Sequence, residues 1–428
     1  MILQIIPELG AGGAEPIVID LASAIVQAGG SALVASHGGF RVREVLARGA
    51  RHIDLPVHTK NPYGMLANTL RLTQLIDMYG VDLVHVHSRA PAWSALVACH
   101  ATDRPLVATY HGTYNAKGAW KRFYNSGMVR SEAVIACSRF IAAHVEAQHG
   151  LSQRGIDVIP CGIDMDSFHP DAVDLQRVAD LRLRWGVDGQ AGPPNTARGE
   201  TPGKMRIVLL PARLTAWKGH RVLIEALARV KAAGRHVDNW TAVLVGDPQG
   251  RQGYVDALEQ RIRRLNLRGR VLIHGHEDNM PAAYAAADIV VSPAVEPEAF
   301  GRVPVEAQAM GRPVIATNHG GPTETVRAED AVTATGWLVP PRNPKALGEA
   351  IETALDLDLE DWRAMGARGR EHVERTYALD TMTGDTLALY RRLIEDFALP
   401  IPLHDRTVPV PADPQSAAAP SLKESVTP

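Results

Sequence analysis

The chain has 428 residues, 46% of them hydrophobic and 21% charged, with a formal net charge of −2 at pH 7. That length calls for about two or three domains, each with a sizeable core, and the near-neutral charge gives no ground for nucleic acid as the main partner. Three scattered cysteines, Cys99, Cys137 and Cys161, with no C-x-x-C, suit a reducing compartment and speak against a disulfide framework or a structural zinc site.

The opening "MILQIIPELGAGGAEP" has no charged n-region and no long apolar h-region, so a first strand is expected and not a signal peptide. No apolar run reaches about 18 residues, so no membrane span is expected, and a cytoplasmic location follows as the expectation. In chain order "ILQII", "ALVAS", "DLVHVH", "PLVATY", "AVIAC" and "DVIP" read as strands, with helical stretches such as 16–28 and 90–101 between them. The rhythm restarts near residue 205 with "RIVLLPA", "TAVLVGD", "VLIHG", "DIVVSP", "PVIAT" and "GWLVP". Strand–helix alternation predicts parallel sheets covered on both faces. The expectation is an α/β chain of two doubly wound, Rossmann-like domains, 1–165 and 166–379, whose ligand lies in the cleft between them. The Gly/Pro-rich stretch 188–204 is expected to be a mobile loop, and 400–428, rich in Pro and Ala without helical period, a disordered tail.

The turn "ELGAGGAEP" follows the first strand and leads into a helix, with Pro16 suited to the first helical position. A glycine turn at a helix N-terminus suits an anion. It is not a dinucleotide fingerprint: Glu15 stands at the third glycine position, and "ALVASHGG" ends without an acid for a ribose. In "PARLTAWKGHRVLIEAL", Arg213 and Lys218 lie between a strand end and a helix start, a place for a diphosphate clamp. In "EPEAFGRVPVEAQAMG" (296–311), the amides from Gly301 onward open a helix and face a phosphate, while Glu298 before the helix and Glu306 one turn inside it can accept hydroxyl hydrogen bonds. Carboxylate for sugar, helix start for phosphate and carboxylate for ribose together describe a nucleotide sugar. "NHGGPTE" adds a second glycine turn.

The ordered motifs "GGAE" (12–15), "HGTYN" (111–115), "IPCGID" (159–164), "RLTAWKG" (213–219) and "EAFGRVPVE" (298–306) resemble glycosyltransferase family 4, and the resemblance covers nearly all of residues 1–398. It implies the GT-B fold, a helix at about 380–398 that returns to complete the first domain, and retaining transfer from a nucleoside-diphosphate sugar with no cofactor and no required metal. It implies that Arg213 and Lys218 neutralise the leaving diphosphate, that Glu298 and His111 meet the donor sugar, and that Glu306 holds the ribose. It also places Gly12 and Gly13, with Phe300, Gly301 and Arg302, around the nucleotide sugar. The chain departs from the pattern at Arg302, where an aliphatic residue is common, at Cys161, where Asn is common, and at Pro16, where Arg is frequent.

Other signals are weaker. His85 and His87, and His274 and His276, alternate on strand faces without an identifiable third metal ligand, and Asp164 reads as a local cap. No G-x-S-x-G surrounds Ser138, so a hydrolase elbow is not expected. A nucleotide-sugar epimerase and a non-catalytic nucleotide-sugar-binding module stay open as alternatives. The expected acceptor is a carbohydrate or lipid-linked one, in lipopolysaccharide or other envelope polysaccharide synthesis. After "HGTYN", the stretch 117–130 places Trp120, Phe123, Tyr124, Gly127 and Met128 on one helical stripe, flanked by Lys117, Lys121, Arg122 and Arg130. Aromatics beside cations suit an anionic membrane surface, so peripheral attachment to the inner face of the membrane is the further expectation.

Overall fold

A short run of Val, Ile and Leu satisfies both of its faces only as a central strand under helices. The computed structural model describes residues 1–10, 12–114, 118–150, 155–187, 205–236 and 239–398. The first sheet holds β1 (Ile2–Ile5), β2 (Ala32–Ser36), β3 (Arg51–Asp54), β4 (Leu83–Val86), β5 (Leu106–Tyr110), β6 (Ala133–Ala136) and β7 (Ile156–Val158), in the order β3-β2-β1-β4-β5-β6-β7. The second holds β8 (Arg206–Pro211), β9 (Trp240–Val245), β10 (Val271–His274), β11 (Ile289–Ser292), β12 (Val314–Thr317) and β13 (Gly336–Val339), in the order β10-β9-β8-β11-β12-β13. Every neighbouring pair is parallel. Strand order reverses between β1 and β4 and between β8 and β11, so connections leave those neighbours in opposite directions and open a crevice at their carboxyl ends. This is the GT-B arrangement.

All twelve strands read from the sequence are present. The thirteenth, β3, is the polar "RHID", exposed at both ends on the edge of its sheet, where no apolar run is needed. The first helix spans Ala14–Gln27, so it starts two residues before Pro16. Pro16 therefore sits inside the first turn, where its missing N–H still costs no intrahelical bond.

The helix Leu379–Ala398 buries Met382, Leu389, Tyr390 and Leu393 in the core that also contains β1, β4 and β5. Chain crossings between the two halves run side by side: Ile163 N–H donates to the Tyr377 carbonyl at 2.8 Å, and Leu379 N–H donates to the Ile163 carbonyl at 2.9 Å. The stretches 188–204 and 400–428, for which a mobile loop and a tail were expected, lie outside the described residues.

Candidate active site

The carboxyl ends of both sheets face one another across a cavity of about 680 Å³. From the first half it is lined by Gly12 and Gly13 after β1, His87 after β4, His111 and Tyr114 after β5, Cys137 after β6, and Cys161. From the second half come Arg213, Trp217 and Lys218 after β8, and Glu298, Phe300, Gly301 and Arg302 after β11. Each lies in the loop, turn or helix start that follows a strand, which is why residues up to about 290 positions apart in sequence converge.

Two loops shape the second wall. Gly219, at φ +80°, lies so close to the Pro293 carbonyl that a Cβ would stand 1.8 Å from its oxygen. Only glycine lets the loop dock there, and docking aims Lys218 into the cleft. Lys218 Nζ donates to Glu298 Oε1 at 2.7 Å and lies 4.3 Å from the centre of the Trp217 ring. The Arg213 side chain is exposed to the cavity and has no hydrogen-bond or ion-pair partner among the described residues. Around β11, Gly320 and Gly321 pack against the backbone of Glu298 and Phe300, where Cβ atoms would come within 2.4 and 2.3 Å of backbone atoms. The "NHGG" turn thus buttresses the Glu298–Phe300 loop and does not line the cavity. Gly301, left-handed at φ +88°, starts the helix Arg302–Ala309, whose first amides open towards the cavity.

Glu306 stands apart. It does not line the cavity; its Oε2 accepts from Tyr284 Oη at 2.7 Å and its Oε1 from Arg302 Nε at 3.2 Å. Arg302 reaches the cavity wall from the same helix. Burial works against its charge, but Glu306, Cys161 and Asp20 outweigh it and hold its pKa above the ordinary value.

On the first wall, His111 Nε2 lies 3.1 Å from His87 Nδ1, and His87 Nε2 lies 3.1 Å from Gln4 Oε1. Burial pushes the His87 pKa well below its ordinary value. His85, weighed in the sequence as half of a metal pair that lacked a third ligand, meets Tyr390 Oη at 2.5 Å and Thr109 Oγ1 at 2.6 Å, and burial lowers its pKa to about 3. The Cys137 thiol, hydrogen-bonded to Cys161 and buried, is held well above the usual thiol range. Among the described residues no group of three or more His, Cys, Asp or Glu is placed to hold a metal ion.

The two halves also touch. Ser138 Oγ donates to the Ala299 carbonyl at 2.5 Å, and the Glu324 carboxylate accepts from the amides of Arg139 and Phe140 at 2.9 and 2.7 Å. A carboxylate of one half therefore caps a helix, Arg139–His149, of the other.

Sequence reasoning missed Trp217, His87 and Glu324. Only His87 left a signal, a histidine at the very end of a buried strand. The expected stripe on 117–130 is only partly a single face: the helix spans Ala119–Val129, its last turn packs Gly127 on Trp93 and buries Met128, while Trp120 and Phe123 stand 75% and 50% exposed. Lys117 lies outside the described residues.

Two facing Rossmann-like domains, with cations and a helix start on one lip and a glycine turn on the other, define a GT-B glycosyltransferase. Residues 11–167 match the family described as Glycosyltransferase Family 4, and residues 194–372 match Glycosyl transferases group 1. A glycosyltransferase from Rickettsia africae is 31% identical, with a TM-score of 0.81 over 92% of this chain and 98% of its own. HepE of Anabaena, solved in complex with UDP and glucose, is 25% identical, with a TM-score of 0.75 over 91% and 99%. A GDP-mannose-dependent alpha-(1-6)-phosphatidylinositol monomannoside mannosyltransferase of Mycobacterium tuberculosis is 31% identical over 327 residues, 73% of this chain and 76% of its own. The chain belongs to glycosyltransferase family 4, and it is a hexosyltransferase.

Proposed function

We propose that the protein moves a hexosyl group from a nucleoside-diphosphate sugar to an acceptor hydroxyl with retention at the anomeric carbon. The observation that carries this is the cavity's second lip, where the unpartnered Arg213, Lys218 and the helix start at Gly301 converge. These groups meet the negative charge that grows as the bond from the anomeric carbon to the diphosphate oxygen breaks. The acceptor oxygen bonds to that carbon from the same face, and its proton passes to the departing phosphate oxygen. His111 and Glu298 take the donor's hydroxyls, and Gly12 and Gly13 admit the diphosphate from the opposite wall. Side-chain cations supply the positive charge, so the reaction is expected to run undiminished in EDTA.

The acceptor is proposed to be lipid-linked, in envelope glycolipid or polysaccharide synthesis such as that of lipopolysaccharide, and presented at the inner face of the membrane. The relative named for a phosphatidylinositol mannoside supports this reading. So does one surface of the first domain. Helices Pro62–Tyr79, Arg89–Thr102 and Ala119–Val129 pack side by side and expose Leu66, Leu70, Val97, Trp120 and Phe123. Residues 55–131 carry eight cations (Lys60, Arg71, Arg89, Arg104, Lys117, Lys121, Arg122 and Arg130) against three acids (Asp77, Asp82 and Asp103), in a chain whose total is −2. Each cation near an anionic leaflet contributes about 1 kcal/mol. No described helix is long and apolar enough to cross a membrane.

The test combines calorimetry of UDP, GDP and ADP with anomer-resolved product analysis and vesicle flotation. Binding of one diphosphate, lost at least tenfold in Arg213→Ala, is expected, with about that factor for a charge-assisted contact. An inverted product would end the retaining reading, and failure to float with anionic vesicles at low salt would end the membrane reading.

A further inference from the structure

Gln4 is an anomaly: a polar side chain with no exposed surface, in an interior strand of its sheet. Its amide nitrogen donates to the Val18 carbonyl at 3.1 Å. A carbonyl can only accept, so the amide cannot be turned round, and Gln4 Oε1 must face His87 Nε2. His87 Nε2 therefore carries the hydrogen. Burial keeps His87 uncharged, which leaves its Nδ1 a bare acceptor. The group facing that acceptor is His111 Nε2, at 3.1 Å, so His111 donates from Nε2. In the neutral His111 ring the acceptor is then Nδ1, a buried atom that makes no hydrogen bond of ordinary geometry among the described residues, with the Cys161 thiol beside the ring. The two rings lie nearly parallel, 18° apart, which fixes the orientation as well as the tautomer.

We propose that Gln4 and His87 are positioning residues for His111: a one-way chain of hydrogen bonds from the first helix to the cleft makes His111 an acceptor at Nδ1. With this tautomer His111 receives a hydroxyl hydrogen of the donor sugar once donor binding uncovers the buried Nδ1. Its one N–H is already committed to His87, so the ring does not compete for the phosphate oxygen that must collect the acceptor's proton. The role of His111 towards the sugar rests on the function proposed above; the tautomer does not.

Two measurements separate these. In protein labelled with nitrogen-15 histidine, resonances assigned with the single-histidine variants are expected to show His111 protonated at Nε2 and bare at Nδ1. Gln4→Met, which removes the acceptor for His87, is expected to convert this into a mixture of tautomers. A His111 ring protonated at Nδ1 in the wild-type protein, or unchanged by Gln4→Met, overturns the proposal. The kinetic arm uses a double-mutant cycle. Gln4→Met is expected to lower kcat about tenfold in the wild-type background, a ratio equal to about 1.4 kcal/mol, and to have no further effect in His111→Ala. A purely structural role would cost the same in both backgrounds. His87→Asn, which keeps an acceptor oxygen in place of Nδ1, is expected to retain more activity than His87→Leu; equal loss in both counts against positioning. If His111→Ala is fully active while the tautomer result stands, the sugar contact fails and the hydrogen-bond chain survives.

Discussion

Lys218 and Glu298 hold one another at 2.7 Å inside the cleft, although the proposed transfer asks one to meet phosphate and the other a sugar hydroxyl. The pair keeps two largely desolvated charges, 15% and 8% exposed, compensated until a donor arrives. Neutralising the acid should therefore free the ammonium for phosphate. Glu298→Gln is expected to bind the free nucleoside diphosphate at least as tightly as wild type while kcat drops about tenfold or more; weaker binding by calorimetry would show that the intact pair is the phosphate-binding form. Glu306 calls for a different expectation from the ribose contact its spacing suggests. Removing it strands the Tyr284 hydroxyl and the Arg302 guanidinium, at a cost of about 2–4 kcal/mol. Glu306→Ala should lower the melting temperature by several degrees as well as weakening nucleotide binding. A loss of affinity with an unchanged melting temperature would return the residue to a purely ligand-facing role. None of this pairing was legible in the sequence: 80 residues separate Lys218 from Glu298, and a spacing of eight says only that two side chains share a helix end.

At the scale of elements, loops at strand ends were readable because glycine and proline mark them, but their purposes were not. "ELGAGGAEP" and "NHGGPTE" look alike as glycine turns. The first contributes Gly12 and Gly13 to the cavity wall, whereas the second exists so that two backbones can touch behind Glu298. Nothing local distinguishes these uses, since both depend on what approaches from elsewhere in the chain. The same holds for the helix Arg139–His149, which shows a serine cap in sequence and conceals a second cap from Glu324. That contact joins the two halves, so its loss should loosen closure at a cost of about 1 kcal/mol, the usual worth of a helix cap. Glu324→Ala is expected to raise the radius of gyration in solution scattering and to raise KM for the donor, with little change in melting temperature. An unchanged radius and an unchanged KM would mean that the cap holds nothing shut.

For the whole molecule, topology was the most legible layer. Parallel sheets buried on both faces need mainly apolar strands, and twelve of the thirteen described strands were readable that way, even the edge strand β7 with Asp157 inside it; the polar edge β3 was not. The least legible feature is the set of buried histidines inside that apolar frame, and it is expected to make the fold sensitive to acid. Burial lowers His85 to about 3 and His220 and His372 to about 4, with His87 also well below its ordinary value. In the unfolded chain these rings titrate near 6.5, so below that pH the unfolded state binds more protons than the folded one. Stability therefore falls as pH drops from about 6.5 towards 4, by up to about 1.4 kcal/mol per pH unit for each of the deeply buried rings His85, His87 and His220, and by less for the better-solvated His372. Melting temperatures taken from pH 7.5 to 4.5 are expected to be flat above 6.5 and to fall steeply below it; a curve still level at pH 5 would mean that the rings are charged in the native state.

His85 also carries a message about synthesis. Its partner Tyr390 lies 305 positions further along the chain, on the helix that closes the first core. As the polypeptide leaves the ribosome, the second sheet, which ends at Val339, has all its strands before that helix emerges. The half of the protein that is made first is thus the half that is finished last. Until then it waits with a polar ring and an apolar face uncovered, the kind of surface through which partly folded chains aggregate.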